Sequence, residues 1–258
     1  MTRFAGRVVL ITGAAERAGA QIALAFARDG ATVYINHFGQ TVQAEETVRR
    51  AVAEALPGGL RAVEADVTDP AAVRAMVDGI VAESGRVDVL IHNASSFRPR
   101  PFADLTPAEV DASLGVNLRG PLFLSQAVGE VMRRQGTGRI LAILGNSLSE
   151  AWPDLIPHIV GKSALGRLME QLAVAYSPAV QCNSVAPTQF YRSDDGANDA
   201  LRVARGEAPA AAGTTLVKGV AVREAQLTDV VDVLMFLADG PDSVSGVTIR
   251  LDGGRVHI

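Results

Sequence analysis

Short runs rich in apolar and β-branched residues alternate with longer stretches of helical period along nearly the whole chain. That alternation is the signature of βαβ units wound into a parallel sheet. Strands are predicted at Val8 to Thr12, Thr32 to Asn36, Arg61 to Glu64, Val87 to His92, Arg139 to Leu144, Val180 to Val185 and Val247 to Leu251. Helical periodicity fills most of the intervals, at Ala18 to Asp29, Thr41 to Ala55, Pro70 to Ser84, Pro107 to Gln135, His158 to Tyr176 and Thr228 to Ala238. The order never separates into halves and contains no internal repeat. The 258 residues are therefore read as one domain, long enough to bury a substantial core.

Charge and cysteine usage exclude several classes of function. The net charge of -4 is small and spread along the chain, and no basic block suggests a nucleic-acid partner. From Met1 to Gly13 the only apolar run is short and ends in glycine, which predicts neither a signal peptide nor a membrane span, and a cytoplasmic protein. A single cysteine, Cys182, excludes an internal disulfide and a cysteine-rich metal site, and no metal site is expected. Its apolar strand setting makes it a small buried filler rather than a nucleophile.

The first strand runs into Thr12, Gly13, Ala14, Ala15, Glu16, Arg17, Ala18 and Gly19, after which helical period begins. A strand, a glycine turn and a helix N-terminus in that order cradle a pyrophosphate, and the ligand implied is a dinucleotide. Gly13 is free to adopt angles that a side chain forbids, and Gly19 permits close approach of helix, sheet and ligand. The strict GxGxxG fingerprint is absent, so a purely structural βα turn is the competing reading of this segment taken alone. Farther along, residues 187–219 lack a strong period. So long a segment inside an α/β domain is expected to form a substrate lid, or to be partly disordered.

Other signals fall at set places in the pattern. Asp66 and Val67 follow the third strand; His92, Asn93, Ala94 and Ser95 end the fourth; Asn117 opens the second half of a long helix; Lys162 lies in the first turn of the next. Near the C-terminus stand Ser245, Gly246 and Val247, then Leu251, Asp252, Gly253 and Gly254. Over essentially the whole chain this ensemble resembles the short-chain dehydrogenase/reductase family. The resemblance implies an α/β fold, a single-domain Rossmann-like doubly wound parallel sheet of about seven strands with helices on both faces, assembled as a homotetramer or homodimer.

Two stretches are similar to pteridine reductases in particular. Arg17 replaces the second glycine of the commoner TGxxxGxG turn, and Asn93, Ala94, Ser95, Ser96, Phe97 stands where most relatives carry Asn, Ala, Gly. Carried over, the resemblance places Arg17, Ser95 and Phe97 against the cofactor phosphates and a pterin stacked on the aromatic ring. A planar heterocycle gains from such stacking, and an arginine fork suits phosphate or ring acceptors. The plainer alternative is that Phe97 caps the core and Arg17 is a solvated helix residue.

The chain departs from the family at its chemistry. Relatives place a catalytic tyrosine four residues before the lysine, as YxxxK, and here that slot holds His158. The family's serine falls at the end of the fifth strand, where the sequence reads Leu144, Gly145, Asn146, Ser147. Gly145 takes the slot, or Ser147 with a two-residue shift. Of the family's tetrad, Asn117 and Lys162 remain. A unit charge about 4 Å away at an effective dielectric of about 20 is worth about 4 kcal/mol, or about three pKa units. Such a field from Lys162 brings a tyrosine toward neutrality but takes a histidine from about 6.5 to about 3.5. His158 is then neutral and a poor general acid.

Three readings follow. His158 serves as an altered acid/base, rescued by Asp154 or Asp195; or water, Ser147 or Tyr191 supplies the proton; or the protein holds its cofactor without turnover.

For the cofactor, the position after the second strand reads Asn36, His37, Phe38, Gly39, with no acid until Glu45. An acid there would hold an NAD 2′-hydroxyl. Its absence, with Arg17 and His37 at hand, favours NADP(H), against which Glu16 stands as the argument for NAD(H). The resemblance further implies that Gly13, Ala18 and Gly19 form the phosphate turn, that Asp66 and Val67 lie at the adenine, and that Asn93 and Ala94 lie on the ribose side. It places Lys162 on the nicotinamide ribose and Pro187 with Thr188 beside the nicotinamide. The expected function is an NADP(H)-dependent oxidoreductase moving hydride between nicotinamide and a small carbonyl or pterin-like substrate near Phe97 and Tyr191, with atypical proton donation. The alternative is a catalytically impaired, nonredox or regulatory member of the same fold.

Overall fold

A computed structural model describes residues 2–188, 208–209 and 213–258, with only the backbone of residue 147 and of 208–209. The expectations placed on Tyr191 and Asp195 lie outside the described residues.

The four residues of β1 (Val8–Ile11) are all buried, because side chains that alternate across a strand here meet a core on either side. Val9 and Ile11 join one hydrophobic cluster, Val8 and Leu10 the other. Parallel strands follow at β2 (Thr32–His37), β3 (Gly59–Glu64), β4 (Val89–His92), β5 (Gly138–Ile143) and β6 (Val180–Pro187). The chain then forms an antiparallel trio, β7 (Ala208–Pro209), β8 (Thr214–Val217) and β9 (Val220–Arg223), before β10 (Thr248–Leu251) returns to the main sheet. That sheet has seven strands in the order β10-β6-β5-β4-β1-β2-β3, as expected for a doubly wound fold. Strand β1 pairs with β2 on one side and β4 on the other, so the winding reverses at β1 and a crevice opens beyond the carboxyl ends of β1 and β4.

Helices α1 (Arg17–Arg28) and α2 (Thr41–Ala53) cover one face with the late helix α7 (Leu227–Asp239), burying Ile22, Phe26, Val230 and Leu234. On the other face lie α3 (Pro70–Ser84), α5 (Gly120–Gln135) and α6 (Ile156–Ala175), burying Met76, Ile80, Leu124 and Met169. Cys182 is fully buried in the second cluster, and burial pushes its thiol up to about 12, as a structural filler requires.

Two expectations need correction. Pro107 to Gln135 is not one α-helix: α4 (Pro107–Leu114) passes through a π-helical turn, Gly115–Arg119, before α5. Pro121 has no N–H to donate back to residue 117, so the α ladder is interrupted there, and the wider turn carries Asn117 into the interior. The second correction concerns the aperiodic segment, part of which is a hairpin. Between β8 and β9, Lys218 and Gly219 both have positive φ, 47° and 83°, the two-residue turn geometry that matches strand twist. Its sequence signal, Lys-Gly between two β-branched runs, was there to be read.

Candidate active site

A cleft of about 520 Å³ opens at the carboxyl ends of the strands. One wall is the glycine turn. Gly13 has φ +59°, and a Cβ there would lie 2.8 Å from the Cα of Ala94; a Cβ on Gly19 would lie 2.6 Å from the carbonyl of Gly13. Both glycines are therefore demanded by the packing of the turn against the end of β4. Thr12 and Asn93 lock that contact. The Asn93 amide donates to the carbonyls of Thr12 and Gly13, both at 2.8 Å, and Thr12 Oγ1 accepts from the N–H groups of Asn93 and Ala94, both at 3.1 Å.

Arg17 opens α1 with φ +56°, a left-handed conformation costing a side-chain-bearing residue roughly 1 kcal/mol. The cap residue of α1, Glu16, makes no side-chain capping bond, so the positive end of the helix faces the cleft without a carboxylate cap. The turn, the close glycines and the helix end fit the diphosphate of a dinucleotide.

At the end of β2, the buried Asn36 amide donates to Ala65 O at 3.0 Å and so holds the neighbouring strand end. His37 is also buried, lines the cleft, and its Nδ1 has no hydrogen-bond partner among the described residues. Asp66 spends one carboxylate oxygen on the N–H and hydroxyl of Thr68, both at 2.8 Å; Val67 lies beside it on the wall.

The opposite end holds the titratable groups. Lys162 is 2% exposed, and its Nζ donates to Ile143 O at 2.7 Å. Burial lowers it to about 8, so it still carries its proton at neutral pH. His158, one helical turn earlier, donates from Nδ1 to Ser96 O at 3.0 Å. That bond assigns the proton to Nδ1 and leaves a lone pair on Nε2. His158 is lowered to about 4, first by burial and then by Lys162, against a smaller opposing effect of the Ser96 bond. The expected direction holds, but desolvation outweighs the lysine field.

Asn117 is fully buried and does not act alone. Its Oδ1 accepts from Ser95 Oγ at 3.0 Å and Ser96 N–H at 3.3 Å, while its Nδ2 donates to Ser96 O at 2.9 Å and Ser113 Oγ at 3.2 Å. It holds the segment from which Ser95 and Phe97 line the cleft. Phe97 meets the His158 ring edge-on at 5.0 Å and the Trp152 ring at 6.3 Å. It caps no core, being 41% exposed. Ser147 falls in the turn Asn146–Leu148, but its side chain is outside the described structure. Pro187 ends β6, and the Thr188 hydroxyl accepts from Ala225 N–H at 3.0 Å, tying the cleft floor to the segment before α7.

Sequence reasoning passed over Trp152, Thr215, Arg223, Glu224 and Arg255, which also line the cleft. Thr215 donates to the Glu224 carboxylate across the hairpin. Among the described residues no cluster suits a metal ion, and no helix is long and apolar enough to cross a membrane.

Residues 7–198 match the family model described as short chain dehydrogenase. D-threitol dehydrogenase of Mycolicibacterium smegmatis is 32% identical over 190 residues, covering 72% of this chain and 71% of that protein. Galactitol 2-dehydrogenase of Agrobacterium fabrum is 29% identical over 260 residues, covering 98% of each. Among solved structures, NAD+-bound xylitol dehydrogenase superposes with a TM-score of 0.83 at 24% identity, over 98% of this chain and 100% of the other, a likeness of fold. The chain belongs to the short-chain dehydrogenase family, a family of oxidoreductases.

Proposed function

We propose that the protein is an NADP(H)-dependent oxidoreductase acting on a small carbonyl or pterin-like substrate, as a homodimer or homotetramer, with His158 standing where relatives carry the catalytic tyrosine. The observation that carries this reading is the placement of Lys162 and His158 on one helix, lining the same cleft as the glycine turn.

A nicotinamide cofactor, when bound, supplies or takes up the hydride. Arg17, Ala18 and the α1 end would hold its diphosphate, and Lys162 would hold its nicotinamide ribose. The preference for NADP(H) is supported by the buried His37, which lines the cleft at the end of β2 with its Nδ1 unpartnered among the described residues, in a stretch that carries no acid of its own before Glu45. The pterin-like class is supported by Phe97, whose half-exposed ring borders His158.

The resting tautomer of His158 sets it up to accept a proton. With Nδ1–H committed to Ser96 O, its Nε2 accepts a proton and does not donate one. This favours a second reading, alcohol oxidation, in which His158 Nε2 takes the hydroxyl proton as hydride leaves the carbinol carbon. D-threitol and galactitol 2-dehydrogenases, by their names, work on such substrates.

The deciding experiment follows NADPH and NADH oxidation with pterins, quinones and aldehydes, and NADP+ and NAD+ reduction with polyols. Turnover in either direction, abolished by Lys162→Ala, is expected. No turnover in any pairing, together with activity created by His158→Tyr, would show a cofactor-binding member without redox function.

A further inference from the structure

Resting on the oxidoreductase reading, we propose that Glu150 is a positioning residue that joins the β5–α6 loop to the C-terminal turn, and that the Glu150–Arg255 pair thereby sets which substrates fit.

Four donors converge on one carboxylate. Glu150 Oε1 accepts from Asn146 Nδ2 at 2.7 Å and Arg255 Nε at 2.5 Å; Oε2 accepts from Trp152 Nε1 at 3.1 Å and Arg255 Nη2 at 3.1 Å. A carboxylate has about four acceptor directions, so this one is fully used. The three donor residues line the cleft, and Glu150 stands behind them. Asn146 and Trp152 belong to the loop after β5, whereas Arg255 opens the final turn, 105 residues beyond Glu150. A second tie runs parallel, from Arg250 of β10 to the Ser149 hydroxyl. The side chains of Glu150 and Arg255 are 21% and 14% exposed, so salt screens the bidentate pair less than it would a surface pair.

The tie reaches the chemistry. Trp152, held by Glu150, packs edge-on to Phe97, and Phe97 packs edge-on to His158. One continuous line of contacts thus connects the C-terminal turn to the histidine. Releasing Arg255 leaves a partly buried carboxylate with two neutral donors and frees the loop that carries the aromatic wall.

Trp152 is the only tryptophan in the chain, so its fluorescence reports on this wall alone. In Arg255→Met and in Glu150→Gln, where the amide turns two donors against donors, the emission is expected to move to the red with greater acrylamide quenching. KM for the best substrate is expected to rise about tenfold, with kcat within about threefold and the NADPH dissociation constant within about twofold, the pattern of lost uniform binding. The double variant Glu150→Arg, Arg255→Glu keeps an ion pair but offers Asn146 and Trp152 no acceptor at position 150. Its emission and KM therefore stay altered, whereas restoration would reduce the pair to a structural bridge and overturn the proposal.

Wild-type emission, quenching and KM in both single variants would also overturn it. Arg255→Lys, which keeps the charge and loses the fork, carries the same readouts at smaller amplitude if Arg255→Met does not fold. If no substrate turns over in wild type, the oxidoreductase reading fails by itself, and emission and quenching still decide the positioning role.

Discussion

His158 and Asn117 donate to one shared acceptor, the carbonyl of Ser96, at 3.0 and 2.9 Å. That sharing assigns the imidazole tautomer and ties it to the π-helical turn of the helix opposite. Asn117 thus touches the chemistry through the segment it holds, with both faces of its amide occupied.

Asn117→Ala is expected to lower unfolding free energy by about 3 kcal/mol, because it removes a fully buried amide with its bonds to the part-buried backbone of Ser96 and to the buried Ser113 hydroxyl. Urea unfolding measures it. Gly161→Ala tests the same link without removing a bond. The added Cβ would lie 2.8 Å from Asn117 Cβ, so the predicted result is a loss of about 1–3 kcal/mol, despite alanine's better helix propensity, and a shifted His158 ring resonance.

Acid is expected to destabilise the fold between about pH 6.5 and pH 3. Burial first, and Lys162 second, lower His158 to about 4 and His92 to about 3, below the value of 6.5 for a free ring. In that window the unfolded chain binds protons that the native rings refuse, so stability rises with pH and is lost on acidification, by on the order of 3 kcal/mol per ring. Lys162, lowered to about 8 by burial, adds a further rise between about pH 8 and 10.5. Urea midpoints across pH measure both, and His158→Gln should remove that ring's share of the acid limb.

Lys162→Met is predicted to raise the His158 pKa only part of the way toward its usual value, since burial is the larger cause. Titration of the imidazole by NMR gives the answer, and full restoration to 6.5 would contradict that order of causes.

Arg17→Gly separates stability from binding. Relief of the left-handed φ of 56° is offset by the entropy of an added glycine, so stability should stay level or rise by up to about 1 kcal/mol. NADPH affinity, followed by its fluorescence, should fall about tenfold on loss of the charge-assisted contact. In Gly13→Ala the added Cβ would meet the Ala94 backbone at 2.8 Å, and both stability and NADPH binding should be lost.

Much of this arrangement was legible in the chain. Strand positions followed from β-branched runs and helix positions from period, because both report a local preference for burial. Gly13 and Gly19 could be named from the strand, turn and helix pattern itself, whereas Asn93, His158 and Lys162 were named through the family resemblance; all five line the cleft at the carboxyl ends of the strands, where parallel sheets gather ligands. The π turn at Gly115–Arg119 was hidden, since its cue, Pro121, lies within an otherwise continuous helical period.

By itself, then, the sequence determined the α/β winding, the glycine turn and the pairing of His158 with Lys162 on one helix, all set by neighbours within a few residues. Tertiary structure decided the rest. Desolvation, which no sequence spacing measures, became the leading cause of a neutral His158. The Asn117–Ser96–His158 junction and the Glu150–Arg255 tie join residues 21 to 105 positions apart, and such pairs meet only once the sheet has brought their strand ends to one edge.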